Sequence, residues 1–437
     1  MKKLPHSDNS LLISHLFVAS LEQNSRISFV INTICEWYGW QWSYSNDDLP
    51  AGALCVSYAL PSRNTRAFKI EPRFPIAEIG KQGTQAHWGD FREVPNPCAS
   101  DPIAGIFYLL TCAEEYTIAN KDKHGRVRAI DLSVVKNGYS SIPLADRLAQ
   151  VLAKAIWKTA GREGTPEMKL ESGYSSLDID QVYALRYKPF YKKLANLGRS
   201  VLTNNWKASQ AVTKAIFGGK DPFDQFEWIK ELHASRGLKP FVFLLMGYEN
   251  ETDPAWNPNH PQWPGFIERI ESWTQLGVHP SYRASIDEQM LQTEKRSLED
   301  LLGEPVHRSR QHFLRVSWPE TFQSLVRSGI TEDFTLAWAD WLGFRMGTAR
   351  SCFWYDLTTD KQTNLRLYPP SMMEVTGRYY LGLSPKQFLQ KAGELNKEAK
   401  RSNSGLRVLW HNSSLSDVGR WGSWRGIYPE VLDLVAD

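Results

Sequence analysis

The sequence predicts an α/β protein in which a smaller mixed α/β domain over residues 1–165 precedes a β/α barrel over residues 166–437. Three observations predict it. The chain's 437 residues exceed what one ordinary core accommodates, so two domains are the natural expectation. The polar segment 161–166 is the best linker candidate in the chain. Beyond it, strand-like and helix-like segments alternate, the mark of parallel β/α architecture, over a length that suits a closed barrel. An open doubly wound sheet is the alternative, and it lacks the Gly-rich phosphate loop expected after its first strand.

In the first domain, Asp101-Pro102 reads as an N-cap followed by Pro at the first helical position. The run Ile106-Phe107-Tyr108-Leu109-Leu110 then continues toward Glu114-Glu115-Tyr116. A second helix follows Pro143, with Leu144, Leu148, Val151, Leu152 and Ile156 at helical spacing.

In the second domain, 168–180 reads as a strand, and 241–246 is a short apolar run of buried-strand type. Phe266, Ile267, Ile270, Trp273 and Leu276 mark an amphipathic helix closed by Gly277, after which Val278-His279 opens a strand end or loop. Ser285-x-x-Glu288 has capping-box spacing and opens a helix to about Leu302, with Gly303 behind it. A strand near 306–314, a helix at 319–327 and a strand near 334–338 follow. A strand at 365–368, a helix opened by Ser384-Pro385 and a strand at 406–410 complete the set.

Composition is that of a globular protein, with 42% hydrophobic and 23% charged residues. The 51 basic and 48 acidic residues leave a net charge of +3, and no basic stripe argues for nucleic acid or an anionic membrane as partner. Cys35, Cys55, Cys98, Cys112 and Cys352 are irregularly spaced and odd in number, which fits reduced thiols better than a disulfide framework. Met1-Lys2-Lys3 could open a signal peptide, but polar residues interrupt the following stretch and the apolar run 16–19 is too short. No window approaches the roughly 18 apolar residues of a membrane helix, so no membrane partner and a cytoplasmic location are the expectations.

The candidate chemistry falls at strand ends. Asp178 and Asp180 end the first strand of the second domain, and His279 follows a helix–Gly–Val step. Arg310 and His312 sit late in a later strand, and His411 ends the last one. In a β/α barrel the C-terminal strand ends share one face, so these distant residues converge. Two carboxylates separated by one residue point to the same side of an extended chain and repel unless a cation intervenes. A divalent metal would leave the other carboxylate free as a base. Alternatively, Asp180 simply caps the next segment. His279 is a good zinc ligand as a neutral imidazole, or a surface loop residue. His411 is a core histidine or a general acid titrating near neutrality. Arg310 is a surface cation or the two-pronged partner of a carboxylate. Trp256, Trp263, Trp421 and Trp424 lie in the Pro/Gly/Asn-rich stretches 253–265 and 419–426. As loop aromatics they suit stacking on sugar rings, or else simply pack locally.

Ser-Leu-Asp-Ile-Asp (176–180), GVHPSYRAS (277–285), SRQHFL (309–314), GITEDFTLAWADWLGFRMGT (329–348), FWYDL (353–357) and LWHNSSL (409–415) occur here in order, after DPIAGIFYLLTCAEEY (101–116). Together they resemble the polysaccharide deacetylase family, the NodB-homology carbohydrate esterases. The resemblance is to a bacterial subgroup in which a less characterised N-terminal domain precedes the deacetylase domain. It implies a distorted β/α barrel and metal-dependent removal of N-acetyl, or less often O-acetyl, groups from a carbohydrate. It implies Asp178 as base, Arg310 as the partner that positions it and His411 as general acid. Asp180 and His279 become ligands of a divalent metal, zinc being the expected one. The pattern departs at Arg283, where the best-known members carry a second histidine. His312 is the candidate substitute ligand. A silent glycan-binding barrel and a metal-dependent amidohydrolase on a non-sugar substrate are the competing classes.

Overall fold

The computed structural model describes residues 15–20, 24–45, 53–58, 67–70, 76, 79, 101–191, 213, 219–416 and 421–437. Cys98 and the possible signal segment before His15 lie outside them. Two parallel-rich sheets organise the chain, the second where the alternation beyond residue 166 predicts one, and the protein is mixed α/β.

The first sheet has the order β2-β1-β3-β4, with β1 His15–Ser20, β2 Gln41–Tyr44, β3 Leu54–Tyr58 and β4 Phe68–Ile70, all parallel. Helix α1, Ser25–Tyr38, links β1 to β2. It starts where the Asn24 side chain accepts from Arg26 N and Ile27 N, and it stops at Gly39 with φ 73°. Sequence patterning missed this unit. It placed the next two helices well: α2 is Pro102–Leu110, capped by Asp101, and α3 is Leu144–Thr159. The continuation toward Tyr116 is broken at Cys112 (φ 50°) and resumes as a 3-10 turn, Ala113–Tyr116. Segment 161–166 is irregular and mostly exposed.

The second sheet runs β10-β11-β9-β8-β7-β6-β5-β13-β12. Its central strands are β5 Tyr174–Ile179, β6 Phe241–Leu245, β7 Gln275–His279, β8 Arg308–Ser309 and β13 Arg407–His411, paired parallel. Strands β9 Glu332–Asp333, β10 Cys352–Asp356, β11 Lys361–Leu367 and β12 Met372–Met373 fill the flanks. Period-2 alternation separates the two faces. Ser175 points outward to Tyr428 and His233 on covering helices, while Tyr174, Ser176 and Asp178 point inward. The inner face curls until Tyr174 Oη donates to Tyr368 O at 2.7 Å, five strands along the order.

Helices α4 Phe226–Ala234, α5 Trp263–Ile270, α6 Glu288–Leu302, α7 Glu320–Arg327, α8 Pro385–Lys400 and α9 Gly422–Ala436 belong to this half of the chain. Several expectations are corrected. Gly277 does not close a helix but sits inside β7, because a Cβ there would come within 2.8 Å of the Phe243 ring and 2.9 Å of Arg308. The N-cap of α6 is Asp287, whose carboxylate accepts from Met290 N, rather than Ser285, which turns back to Tyr282 O. The stretch 334–338 is buried but not a strand, since the Asp333 carboxylate accepts from Thr335 N and Thr335 Oγ1 and turns the chain. The stretch 168–180 is extended as a ladder only from Tyr174, and α8 opens with the capping box of Ser384 and Gln387.

The two sheets share one continuous apolar core. Trp37 Nε1 donates to Ser351 O at 3.1 Å, and Tyr355 Oη donates to Ser25 Oγ at 2.8 Å. The buried Glu115–Arg345 ion pair also joins the halves, closing to 2.6 Å.

Candidate metal and acid–base site

Strand register explains why the singled-out residues meet. His411 lies beside Asp178 across β13 and β5, and His279 beside Leu245 across β7 and β6. Parallel pairing continues past β8, with Arg310 N donating to Val278 O and His312 N to Pro280 O, both at 3.1 Å. All of these side chains therefore emerge at the C-terminal ends of neighbouring strands, where β/α proteins build sites.

Asp180, His279 and His312 each offer one ligand atom within 4.8 Å of the others, and they form a potential metal-binding triad. His279 Nε2 is 3.3 Å and His312 Nε2 3.6 Å from Asp180 Oδ1. Ligand atoms about 2.0–2.2 Å from a tetrahedral zinc lie about 3.3–3.6 Å apart, so the spacing fits. Two orphaned atoms add weight: Asp180 Oδ1 and His279 Nε2 are buried yet make no hydrogen bond. Behind the triad, the other ring nitrogens are fixed. His279 Nδ1 is 2.5 Å from Arg310 O, and His312 Nδ1 is 2.8 Å from Asp253 Oδ1. A proton on each Nδ1 leaves the Nε2 lone pairs aimed at the centre, the usual outer arrangement of metal-bound histidines. Asp253 was not singled out as a site residue, although it begins the loop read as aromatic-rich. It is held by Tyr282 N at 2.9 Å.

Asp180 and His312 also perturb each other's titration. Burial would push Asp180 up, but His312, His279 and His411 draw it well below the usual carboxylate range. Burial would likewise lower His312, yet Asp180 and Asp253 carry it up to about 9. The position expected to bear a second histidine behaves differently. The Arg283 side chain is 75% exposed, and its nearest carboxylate oxygen, Asp287 Oδ2, is 3.9 Å away. Its charge faces water and stays out of the triad.

Beside the triad sits a buried ion pair. Arg310, fully buried, donates to Asp178 Oδ1 at 2.7 Å, Ser176 Oγ at 2.8 Å and Phe334 O at 3.0 Å. Its guanidinium also lies 4.4 Å above the Phe243 ring centroid. That leaves Asp178 Oδ2 on the open side, 3.8 Å from His279 Nε2. Across the site, His411 Nδ1 is 2.8 Å from Glu374 Oε1, and His411 Nε2 is 4.0 Å from Asp180 Oδ2. Burial would lower His411, but Glu374, Asp180 and Asp178 raise it to about 10. Glu374 follows the two-residue strand β12, too short to leave a pattern in the sequence, and reading the chain alone missed it.

The loop after His312 is strained. Phe313 and Leu314 have φ of 61° and 52°, left-handed values that cost L-residues about 1–2 kcal/mol each. Of the two readings of the tryptophans, local packing holds for two. Trp263 and Trp424 are interior, the first at the start of α5 and the second within α9, so they pack rather than face a ligand. Trp256 is half-buried, stacked on His260 with centroids 4.4 Å apart, and Trp421 is half-buried against Tyr379.

A family model described as "Family of unknown function (DUF7033)" matches residues 11–160. No curated protein matches the chain. A solved structure from Mycobacterium smegmatis, of a protein provisionally described as a polysaccharide deacetylase, aligns with 15% identity and a TM-score of 0.38. It covers 63% of this chain and 86% of its own. Among the described residues, no helix is long and apolar enough to cross a membrane.

Proposed function

We propose that this protein is a metal-dependent hydrolase that removes acetyl groups, chiefly N-acetyl, from a saccharide. The observation that carries the reading is the triad of Asp180, His279 and His312, with its orphaned Asp180 Oδ1 and His279 Nε2, standing between the Arg310-bound Asp178 and the Glu374-bound His411. The ordered segments resembling polysaccharide deacetylases supply the substrate class. The curl that brings Tyr174 onto Tyr368 O supports reading the second sheet as a distorted barrel. Residues 1–165 and 166–437 are taken as the two domains, each sheet falling within one of them.

A divalent metal, zinc by the ligand set, would supply Lewis acidity toward the acyl oxygen and acidify a water molecule. The chain's own groups do the rest. Asp178, held by Arg310 through Oδ1, takes the proton of the attacking water on Oδ2. His411, kept protonated by Glu374, delivers a proton from Nε2 to the departing nitrogen. Acetate release from N-acetylated oligosaccharides, measured with and without added zinc or cobalt, tests the reading. Release that His312→Ala and Asp178→Asn abolish supports it. Purified protein that binds glycan but neither binds metal nor releases acetate overturns it in favour of a silent binding barrel.

A further inference from the structure

The N-terminal region sends one element to the site. Residues 121–127 form a small hairpin, bridged between Lys121 and Val127 and turned at Gly125 with φ 78°. Its Asp122 carboxylate accepts from His124 N at 2.8 Å and from Arg126 N at 2.9 Å. It also pairs with the Arg126 guanidinium at 2.7 Å. Held this way, Arg126 is buried and its Nη1 donates to Phe313 O at 2.8 Å, while Nη2 donates to Tyr380 Oη at 3.1 Å. A second tie runs the other way, from Arg315 Nε to His124 O at 3.0 Å, and Arg315 Nη1 reaches Tyr282 O at 2.8 Å. The His124 ring closes the assembly, 4.7 Å from Phe313 and 5.8 Å from Tyr282.

Two of the fixed points matter for the metal. Phe313 directly follows His312 and is one of the two left-handed residues, and Tyr282 N is a donor that fixes Asp253, the partner of His312. Left-handed backbone at Phe and Leu persists only where surrounding contacts over-determine it. At Phe313 two of those contacts, the Arg126 hydrogen bond and the His124 ring, come from a hairpin in the N-terminal region. We infer that the 121–127 hairpin is a positioning element for the metal site, with Arg126 as the positioning residue that holds His312 in its ligating geometry. The inference rests on the metal-dependent reading above and gives the N-terminal region a role in it.

Cobalt(II) titration of the full chain tests this, followed by the visible d–d absorption that reports ligand geometry. Arg126→Ala is expected to weaken cobalt binding about tenfold, the scale seen when outer-shell partners are removed. It is also expected to shift the absorption band, a change that a lower melting temperature alone would not produce. Arg126→Lys keeps the charge but has one donor centre for the roles of three. It should fall between the two, and it decides the matter if the alanine variant does not fold. Affinity and spectrum indistinguishable from wild type in the folded variants overturn this inference alone. Wild-type protein that binds no metal overturns it together with the proposed function.

Discussion

At the scale of single residues, the groups proposed as base and acid have neighbours of opposite charge. Asp178 shares its buried environment with a cation, and His411 with an anion, Glu374. Glu374 and the nearby aspartates outweigh the burial that would lower His411 and raise it to about 10. Glu374→Gln therefore lowers the folded-state pKa of His411, and the protonated acid is lost at lower pH. We expect the high-pH limb of kcat/KM for acetate release to move downward in this variant, with the low-pH limb in place. An unmoved high-pH limb would mean that His411 is not the acid. Removal of Arg310 has a different cost. Arg310→Leu leaves Asp178 buried without its cation, and breaking such pairs typically costs about 3–5 kcal/mol, readable by urea unfolding. A loss below about 1 kcal/mol would mean that water reaches the carboxylate and the pair is not truly interior.

At the scale of elements, strands β6 and β13 were legible because they are short apolar runs, and the Asp178/Asp180 pair because it ends an extended segment. Helix α9 was not. Its N-cap and first turn hold Trp421, Gly422 and Trp424, which look like loop, and Pro429 sits inside it; only burial of Tyr428, Val431 and Leu432 makes it a helix. Gly277 is a similar case, since glycine signals a helix end and a crowded strand equally well. Crowding decides, and Gly277→Ala should destabilise by about 1–3 kcal/mol by pressing on Phe243 and Arg308. Because β7 ends at His279, the same variant should weaken metal binding; unchanged melting and affinity would show the strand can shift freely.

The packing of α4 onto β5 carries a pH dependence of its own. His233 is buried between them, with Nδ1 2.8 Å from Ile229 O and Nε2 3.1 Å from Ser175 Oγ. Burial pushes it down from 6.5 to about 4, so the unfolded chain binds a proton first on acidification. Stability from this residue is present above pH 6.5 and is lost progressively toward pH 4, on the order of 3 kcal/mol in all. Unfolding followed across that window should steepen for wild type and flatten for His233→Gln. Equal slopes would place the acid sensitivity elsewhere.

At the scale of the whole molecule, the halves are knit by groups that cannot be left alone. Glu115 and Arg345 are both buried, and Trp318 Nε1 also donates to Glu115 at 3.0 Å. Glu115→Gln should cost about 3–5 kcal/mol by stranding Arg345, and calorimetry should show one transition rather than two. Two resolved transitions would mean the halves melt independently. None of this coupling was readable from the chain alone, where the linker at 161–166 suggested independent domains. Contacts such as Trp37 to Ser351 join residues hundreds of positions apart and leave no local pattern.

The triad draws its three ligand atoms from beyond β5, from the end of β7 and from beyond β8, stretches of chain far apart in order. An ion bound there is also a removable cross-link, a clasp that closes two long loops at once. It would restrict the disordered chain as well as the native one only if the unfolded ligands could find it, which a scattered set does poorly. Saturating metal at a hundredfold excess over Kd should thus lend about 2.7 kcal/mol to the folded state. Amide hydrogens of β7 and β8 should exchange more slowly in its presence, a tightening that chelation would undo.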